Sequence, residues 1–198
     1  QAIDSAAQNN LTLYGNAKLS TGQAKFGDTS IYFDGTGDWA YVYPKYFTFG
    51  TGDFTVEFQL YLNAGTTQTV VSFLSADATV TPHFYISGTG TKLLYYVGGA
   101  GTAIDGGGVN TGQWYHVALS RSGTSSKLFI DGTQVGSTYS DSNNYVAGPL
   151  ALGTYKWPTP NTGSTLNGYI DEVRISTGVA RYTSNFTAPD EPFPDKGQ

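Results

Sequence analysis

Apolar and polar residues alternate with period two along most of this chain. Between Asp53 and Leu62, residues Phe54, Val56, Phe58, Leu60 and Leu62 share one face, while Thr55, Glu57, Gln59 and Tyr61 share the other. That pattern predicts a strand with a dry face and a wetter one. Similar runs predict strands over residues 28–33, 39–43, 69–74, 83–86, 93–97, 114–119, 150–153 and 169–175. Lys127-Leu128-Phe129-Ile130 and Thr133-Gln134-Val135, joined by Asp131-Gly132, predict a tight hairpin, because Asp-Gly accepts positive φ at both central positions. Two glycine clusters, Gly98-Gly99-Ala100-Gly101 and Gly106-Gly107-Gly108, predict a loop before Trp114. Turn signals recur every roughly 8–12 residues, the spacing of a sandwich or barrel. No stretch sustains a helical period, and Gly178 to Tyr182 predicts one short turn at most.

Composition narrows the class. Gly is 26 of 198 residues, about twice its usual share, which breaks helices and supplies turns. A chain of this length fits one undivided β-sandwich domain. With Cys 0 there is no disulfide framework and no thiolate chemistry, and His 2 is too few for a zinc site built on three nitrogen or sulfur ligands. A net charge of -5 is the wrong sign for binding a phosphate backbone, which argues against nucleic acid as a partner. No apolar run approaches the ~20 residues of a membrane span. Charged residues at 13% fit an extracellular or particle-bound module better than a cytosolic enzyme. The chain opens at Gln1 rather than Met, as expected of a piece processed or excised from something longer.

Four blocks, in order, carry a family resemblance: Ser30-Ile31-Tyr32-Phe33-Asp34-Gly35-Thr36-Gly37-Asp38-Trp39, Gly52-Asp53-Phe54-Thr55-Val56-Glu57-Phe58, Gln113-Trp114-Tyr115-His116-Val117-Ala118-Leu119-Ser120-Arg121 and Gly168-Tyr169-Ile170-Asp171-Glu172-Val173-Arg174-Ile175-Ser176. Together with the Asp131-Gly132 hairpin they resemble laminin-G-like domains of the concanavalin-A-like lectin and glucanase group. The resemblance runs from Asp4-Ser5 to about Phe186 and implies an all-β jelly roll of two antiparallel sheets, roughly 12 to 14 strands, over residues 1–187. Residues 188–198, holding three prolines, are expected to form an irregular tail or linker. Gly15-Asn16-Ala17, Lys25-Phe26-Gly27 and Arg181-Tyr182-Thr183-Ser184-Asn185-Phe186-Thr187 resemble a branch common in tailed-bacteriophage structural proteins. That branch implies a passenger module on a virion or cell surface, often binding glycans. Its members usually begin with an apolar strand ahead of the segment matching Asp4-Ser5, which this chain lacks.

The candidate chemistry is sparse. A retaining glycosidase needs two carboxylates about 5 Å apart across one groove. Glu57 has Thr55 and Gln59 as same-face neighbours, and Asp171 and Glu172, being adjacent, face opposite ways. Glu57 therefore reads as a wet-face carboxylate bonded to a neighbouring strand or to Arg174 or Arg121, with a polar contact in a ligand groove as the alternative, and no catalytic residue is assigned. The resemblance implies one structural Ca2+ at Asp171 and Asp4, with Asn9 or Asn10 and loop carbonyls completing an oxygen shell. Asp34 and Asp38 form a second cluster, although Asp before Gly is more often turn chemistry. For a glycan the best platform is Trp157 in the proline-bounded loop Tyr155-Lys156-Trp157-Pro158-Thr159-Pro160-Asn161, with Tyr155 and Asn161 beside it. Tyr139, Asn143, Asn144 and Tyr145 form a second loop of the same character, of which Asn144 and Tyr145 are the expected ligand contacts. Trp114 reads as packing, and Trp39 is open between the two roles. The expected function is a non-enzymatic adhesion or surface-decoration module that contacts a glycan or a protein neighbour through edge loops. The alternative is a structural subunit of a virion or appendage that binds no sugar.

Overall fold

The computed structural model describes residues 10–73, 82–146, 148–155 and 161–194; Asp4 and Trp157 lie outside the described residues. Among the described residues fourteen strands run in chain order as β1 (Leu11–Tyr14), β2 (Lys18–Ser20), β3 (Ser30–Asp34), β4 (Trp39–Phe47), β5 (Phe54–Leu62), β6 (Gln68–Phe73) and β7 (Pro82–Ser87), then β8 (Lys92–Val97), β9 (Gly101–Gly108), β10 (Trp114–Ser122), β11 (Ser125–Ile130), β12 (Thr133–Ser140), β13 (Gly148–Leu152) and β14 (Asn167–Thr177). One 3-10 turn, Thr162–Ser164, precedes β14. The first sheet has the order β1-β4-β13-β6-β7-β8-β9 and the second β12-β11-β10-β5-β14-β3-β2, with every pairing antiparallel. This is the two-sheet jelly-roll sandwich that the alternating pattern and the resemblance imply.

The core lies between the sheets and is built from alternate residues of each strand. Phe54, Val56, Phe58, Leu60 and Leu62 of β5 meet Phe84, Ile86, Leu93, Tyr95 and Val97 of β7 and β8, all fully buried. The Asp131-Gly132 hairpin forms as its residue types require, with φ of 48° and 77°. Gly132 has a second reason to lack a side chain, because a Cβ there would meet the carbonyl oxygen of Phe186 at 2.0 Å.

Three strands escape the sequence pattern. β1 and β2 are short, at four and three residues, and edge the sandwich. β9 occupies the stretch that its glycines predict as a loop. Gly106 explains the composition: a Cβ there would lie 2.8 Å from the Leu93 carbonyl oxygen and 2.9 Å from the Leu128 side chain, which belongs to the other sheet. Glycine is needed for that close approach.

The wet face assigned to β5 is not wet. Thr55, Glu57 and Gln59 are fully buried, because residues beyond β14 fold back over the second sheet. Thr55 Oγ1 donates to the Val179 carbonyl and accepts from the Arg181 amide. Tyr182 and Phe186 stack at 3.6 Å and lie against Phe129 and His116. Phe193 lies under the Arg174 guanidinium at 3.8 Å, and its amide donates to Glu172 at 2.7 Å. The segment has no regular structure yet is held at each of these points.

Candidate functional site

The outward face of the first sheet carries one continuous cross-strand row. Register places Thr12 opposite Tyr41, Tyr41 opposite Ala151, Ala151 opposite Ser72, Ser72 opposite His83, His83 opposite Tyr96 and Tyr96 opposite Thr102. The row thus crosses all seven strands. Its centre is small, Ala151 and Ser72, and its flanks are rings. From Tyr41 to Tyr96 it spans four interstrand spacings, roughly 19 Å.

On one flank Tyr41 packs with Trp39, Ala151 and Tyr155 in a hydrophobic cluster separate from the main core. Tyr14, opposite Trp39 on the edge strand, stacks on it at 5.5 Å and meets Tyr41 edge-on at 5.7 Å. On the other flank His83 lies 4.6 Å from the Tyr96 ring and 5.9 Å from that of Tyr85, and the Tyr85 hydroxyl bonds Thr102 at 3.1 Å. Tyr155 bridges the two flanks, parallel to His83 within 9° at 6.1 Å. Trp39, His83, Tyr85, Tyr96 and Tyr155 are half-buried, so each ring is fixed yet keeps part of its surface open.

The row also fixes the feet of the 155–161 loop. The Asn161 amide donates to the Tyr155 carbonyl at 3.0 Å, and Asn161 Nδ2 donates to the Tyr155 hydroxyl at 2.7 Å. Asn161 Oδ1 then accepts from the Gly163 amide, capping the 3-10 turn. Thr154 Oγ1 donates to the Asn161 carbonyl, and Ser72 Oγ in the centre of the row donates to that of Thr154 at 2.9 Å. Two of the predicted contacts, Tyr155 and Asn161, are thereby set beside Trp39, Tyr41 and His83.

The row itself contains no carboxylate, lysine or arginine. Burial, with Tyr14 adding to it, pushes the Tyr41 phenol up to about 12, so it stays a protonated donor at physiological pH. Trp39 Nε1 is buried and has no hydrogen-bond partner among the described residues. At the β8–β9 edge of the sheet Lys92 and Asp105 pair with each other at 2.7 Å. Flat rings beside neutral donors and acceptors suit a ligand with C–H faces and hydroxyl edges.

The second predicted loop is different, and Tyr145 must be reassigned. It is fully buried, its ring edge-on to Phe54. Its hydroxyl donates to Asp141 at 2.8 Å and lies 3.1 Å from that of Tyr95. The cause is Arg121, buried over the Tyr145 ring, which donates to the carbonyls of Gly123, Thr51 and Asn143 and so draws the loop inward. Asn144 is exposed but makes no hydrogen bond to the ring row.

Around Asp171 the donors are the reverse of a cation shell. Its Oδ2 accepts from the Lys25 and Phe26 amides at 3.0 and 3.1 Å, and its Oδ1 from Glu172. Burial raises its pKa against these three bonds, which lower it. Asp38 accepts from the Asn16 and Asp34 amides, and Asp34 from Thr36 and the Asn16 side chain, as turn carboxylates do. Asn10 is exposed, and no group of three His, Asp or Glu able to hold a metal occurs among the described residues. These residues do not fit a calcium ion on the side described.

Glu57 is likewise spoken for. Its oxygens accept from Arg174 Nε at 2.8 Å and from the Tyr182 hydroxyl at 2.8 Å, with His116 Nε2 at 3.2 Å. Arg174 is the expected partner; Arg121 is engaged elsewhere. Burial would push the Glu57 carboxyl up, but His116, Arg174 and Tyr182 overcome it and hold it below its ordinary value.

The sequence reading missed Trp39, Tyr41, His83, Tyr85 and Tyr96 as a group. A signal existed: Trp39 and Tyr41 of β4, His83 and Tyr85 of β7 and Tyr96 of β8 put rings at outward positions where a solvated strand face is normally polar.

The sequence model of the concanavalin A-like lectin/glucanases superfamily matches residues 34–181, and the chain belongs to that family. Among solved structures it is similar to domain 4 of AbnA, a GH43 extracellular arabinanase from Geobacillus stearothermophilus in complex with arabinotriose. The two share 19% identity with a TM-score of 0.62, over 86% of this chain and 84% of that one. The carbohydrate binding module CBM66 from Bacillus subtilis matches at 14% identity and a TM-score of 0.52, over 84% and 95%. Mouse laminin alpha1 domains LG4-5 match at 18% and 0.58, over 80% of this chain and 46% of that one. At these identities the likeness shows the fold. No curated protein sequence matches the chain.

Proposed function

We propose that this domain is a non-enzymatic glycan-binding module of an extracellular or virion surface, and that its sugar lies along the ring row of the first sheet under the 155–161 loop. The observation that carries the reading is the row itself: half-open rings on both flanks of a small-residue centre, with the buried Trp39 indole N–H, unpartnered among the described residues, beside it. Rings stack on sugar C–H faces, and the uncharged donors suit hydroxyls. Two structural relatives support the class, one bound to arabinotriose and one named a carbohydrate binding module. Glu57, Asp171, Asp34 and Asp38 are held by amide, arginine, histidine and tyrosine partners, which favours binding over hydrolysis.

A glycan array on the isolated domain, repeated in calcium and in chelator, tests this. Specific binding is expected, and Trp157→Ala should lower it roughly tenfold, the worth of one lost ring contact. Binding should survive the chelator, since the Asp171 oxygens are taken by amides; loss in chelator would restore calcium through Asp4 and Asp171. Silence on the array from folded protein would favour a structural subunit held by protein contacts.

A further inference from the structure

The second sheet has a ring row of its own. Register places Lys18 opposite Tyr32, Tyr32 opposite Tyr169, Tyr169 opposite Tyr61 and Tyr61 opposite Trp114, across five consecutive strands. All four rings point outward, since Ile31, Phe33, Leu60, Leu62, Tyr115 and Ile170 on either side of them face the core. Their centroids are 5.5, 5.7 and 4.9 Å apart, and Lys18 Nζ closes the row 5.6 Å from the Tyr32 centroid. The rings are half-buried, and the strap that covers Glu57 leaves them uncovered.

We infer that this row is a second carbohydrate-binding strip, on the opposite face from the first, for a neutral oligosaccharide laid across the strands. Three interstrand spacings give it a length of roughly 14 Å, enough for several sugar rings in line. Successive planes turn by 58°, 85° and 43°, so the strip offers faces and edges in alternation. Faces take sugar C–H groups, and edges bring the phenol hydroxyls to the ligand's own hydroxyls.

Two observations select a glycan over a protein partner. The hydroxyls of Tyr32, Tyr61 and Tyr169 and the indole N–H of Trp114 make no hydrogen bond among the described residues, so an apolar partner surface would leave four polar groups unsatisfied. A sugar supplies a hydroxyl to each. The next row, Asp171–Gln59–His116, adds a fully buried Gln59 amide whose nitrogen and oxygen have no partner among the described residues. It stands roughly 7 Å along the strand from Tyr61 on the same face. The row is thus bordered by hydrogen-bonding capacity rather than by apolar side chains.

Trp39 on the first face and Trp114 on the second make the test site-resolved; the third tryptophan, Trp157, stands between Tyr155 and Asn161 in the sequence. Protein labelled with 5-fluorotryptophan, its resonances assigned from the three Trp→Phe variants, is titrated by fluorine NMR with xylohexaose, cellohexaose, laminarihexaose and arabinohexaose. At least one is expected to shift Trp114. Tyr61→Ala and Tyr169→Ala should weaken that response roughly tenfold, while Trp39→Ala leaves it unchanged. Tyr61→Phe keeps the ring packed and should weaken it only a few-fold. The proposal falls if none of the four moves Trp114, or if Tyr61→Ala and Tyr61→Phe leave its response unaltered. It also falls if Trp114 shifts with protein concentration alone, which assigns the face to self-association. Failure at Trp39 and Trp157 with a response at Trp114 would sink the first site and keep the second.

Discussion

Glu57→Ala is expected to lower the free energy of unfolding by about 3–5 kcal/mol, the cost of removing one partner from a buried charge pair. The carboxylate is fully buried and the Arg174 guanidinium is 23% exposed, with 2.8 Å between them. Removing the acid leaves Arg174, His116 and the Tyr182 hydroxyl facing a hole beneath the strap. Urea unfolding should show the drop in midpoint. Glu57→Gln keeps the shape and one acceptor, so it should cost less.

The pH dependence has a definite sign. The folded-state pKa of Glu57 lies below its ordinary value, so its contribution is complete above that ordinary value and is lost as pH falls through the folded one. Asp171 runs the other way. Its pKa is raised, so folding favours its protonated form, and that contribution is lost as pH rises through the folded value. Between pH 5 and 3 the wild type should therefore lose stability through Glu57, and Glu57→Gln should show a flatter profile.

Arg121→Ala should cost a similar amount, about 3–5 kcal/mol, by stranding carbonyls and breaking the clamp on three segments. Arg121 is 1% exposed. Its Nε donates to Gly123 at 3.0 Å, Nη1 to Asn143 at 2.9 Å and Nη2 to Thr51 at 3.2 Å, and Asp141 stands 3.8 Å away. Lysine cannot reproduce this fork, so Arg121→Lys should recover little. Amide exchange in the 141–146 segment should rise in either variant, because the bridge between Gly50 and Tyr145 depends on the clamp. The ring row of the first sheet contains none of these residues, and ligand binding by the folded fraction should persist.

What the sequence made legible was local. The alternation in β5 and the Asp131-Gly132 turn depend on neighbours along the chain, and both formed as read. The burial of Glu57 did not, because its cover comes from Tyr182, 125 residues away. Tyr145 read as a loop aromatic because the residue that draws it inward, Arg121, lies on another strand. β9 read as loop because only the packed sandwich shows Gly106 touching Leu128 across the sheets. The candidate site was half legible: the 155–161 loop stood out by its prolines and aromatics. The row it stands beside becomes visible only when topology lines up β4, β13, β6, β7 and β8.

The most direct measurement is calorimetric titration of the best array ligand into the wild type, Trp39→Ala and Tyr96→Ala, the last two on opposite flanks of the centre formed by Ala151 and Ser72. Each variant, verified as folded by circular dichroism, is predicted to lose about tenfold or more in affinity, one stacked ring being worth roughly 1.4 kcal/mol. Unchanged affinity in both would contradict binding along the first sheet, and would move the sugar to the second face or off this domain.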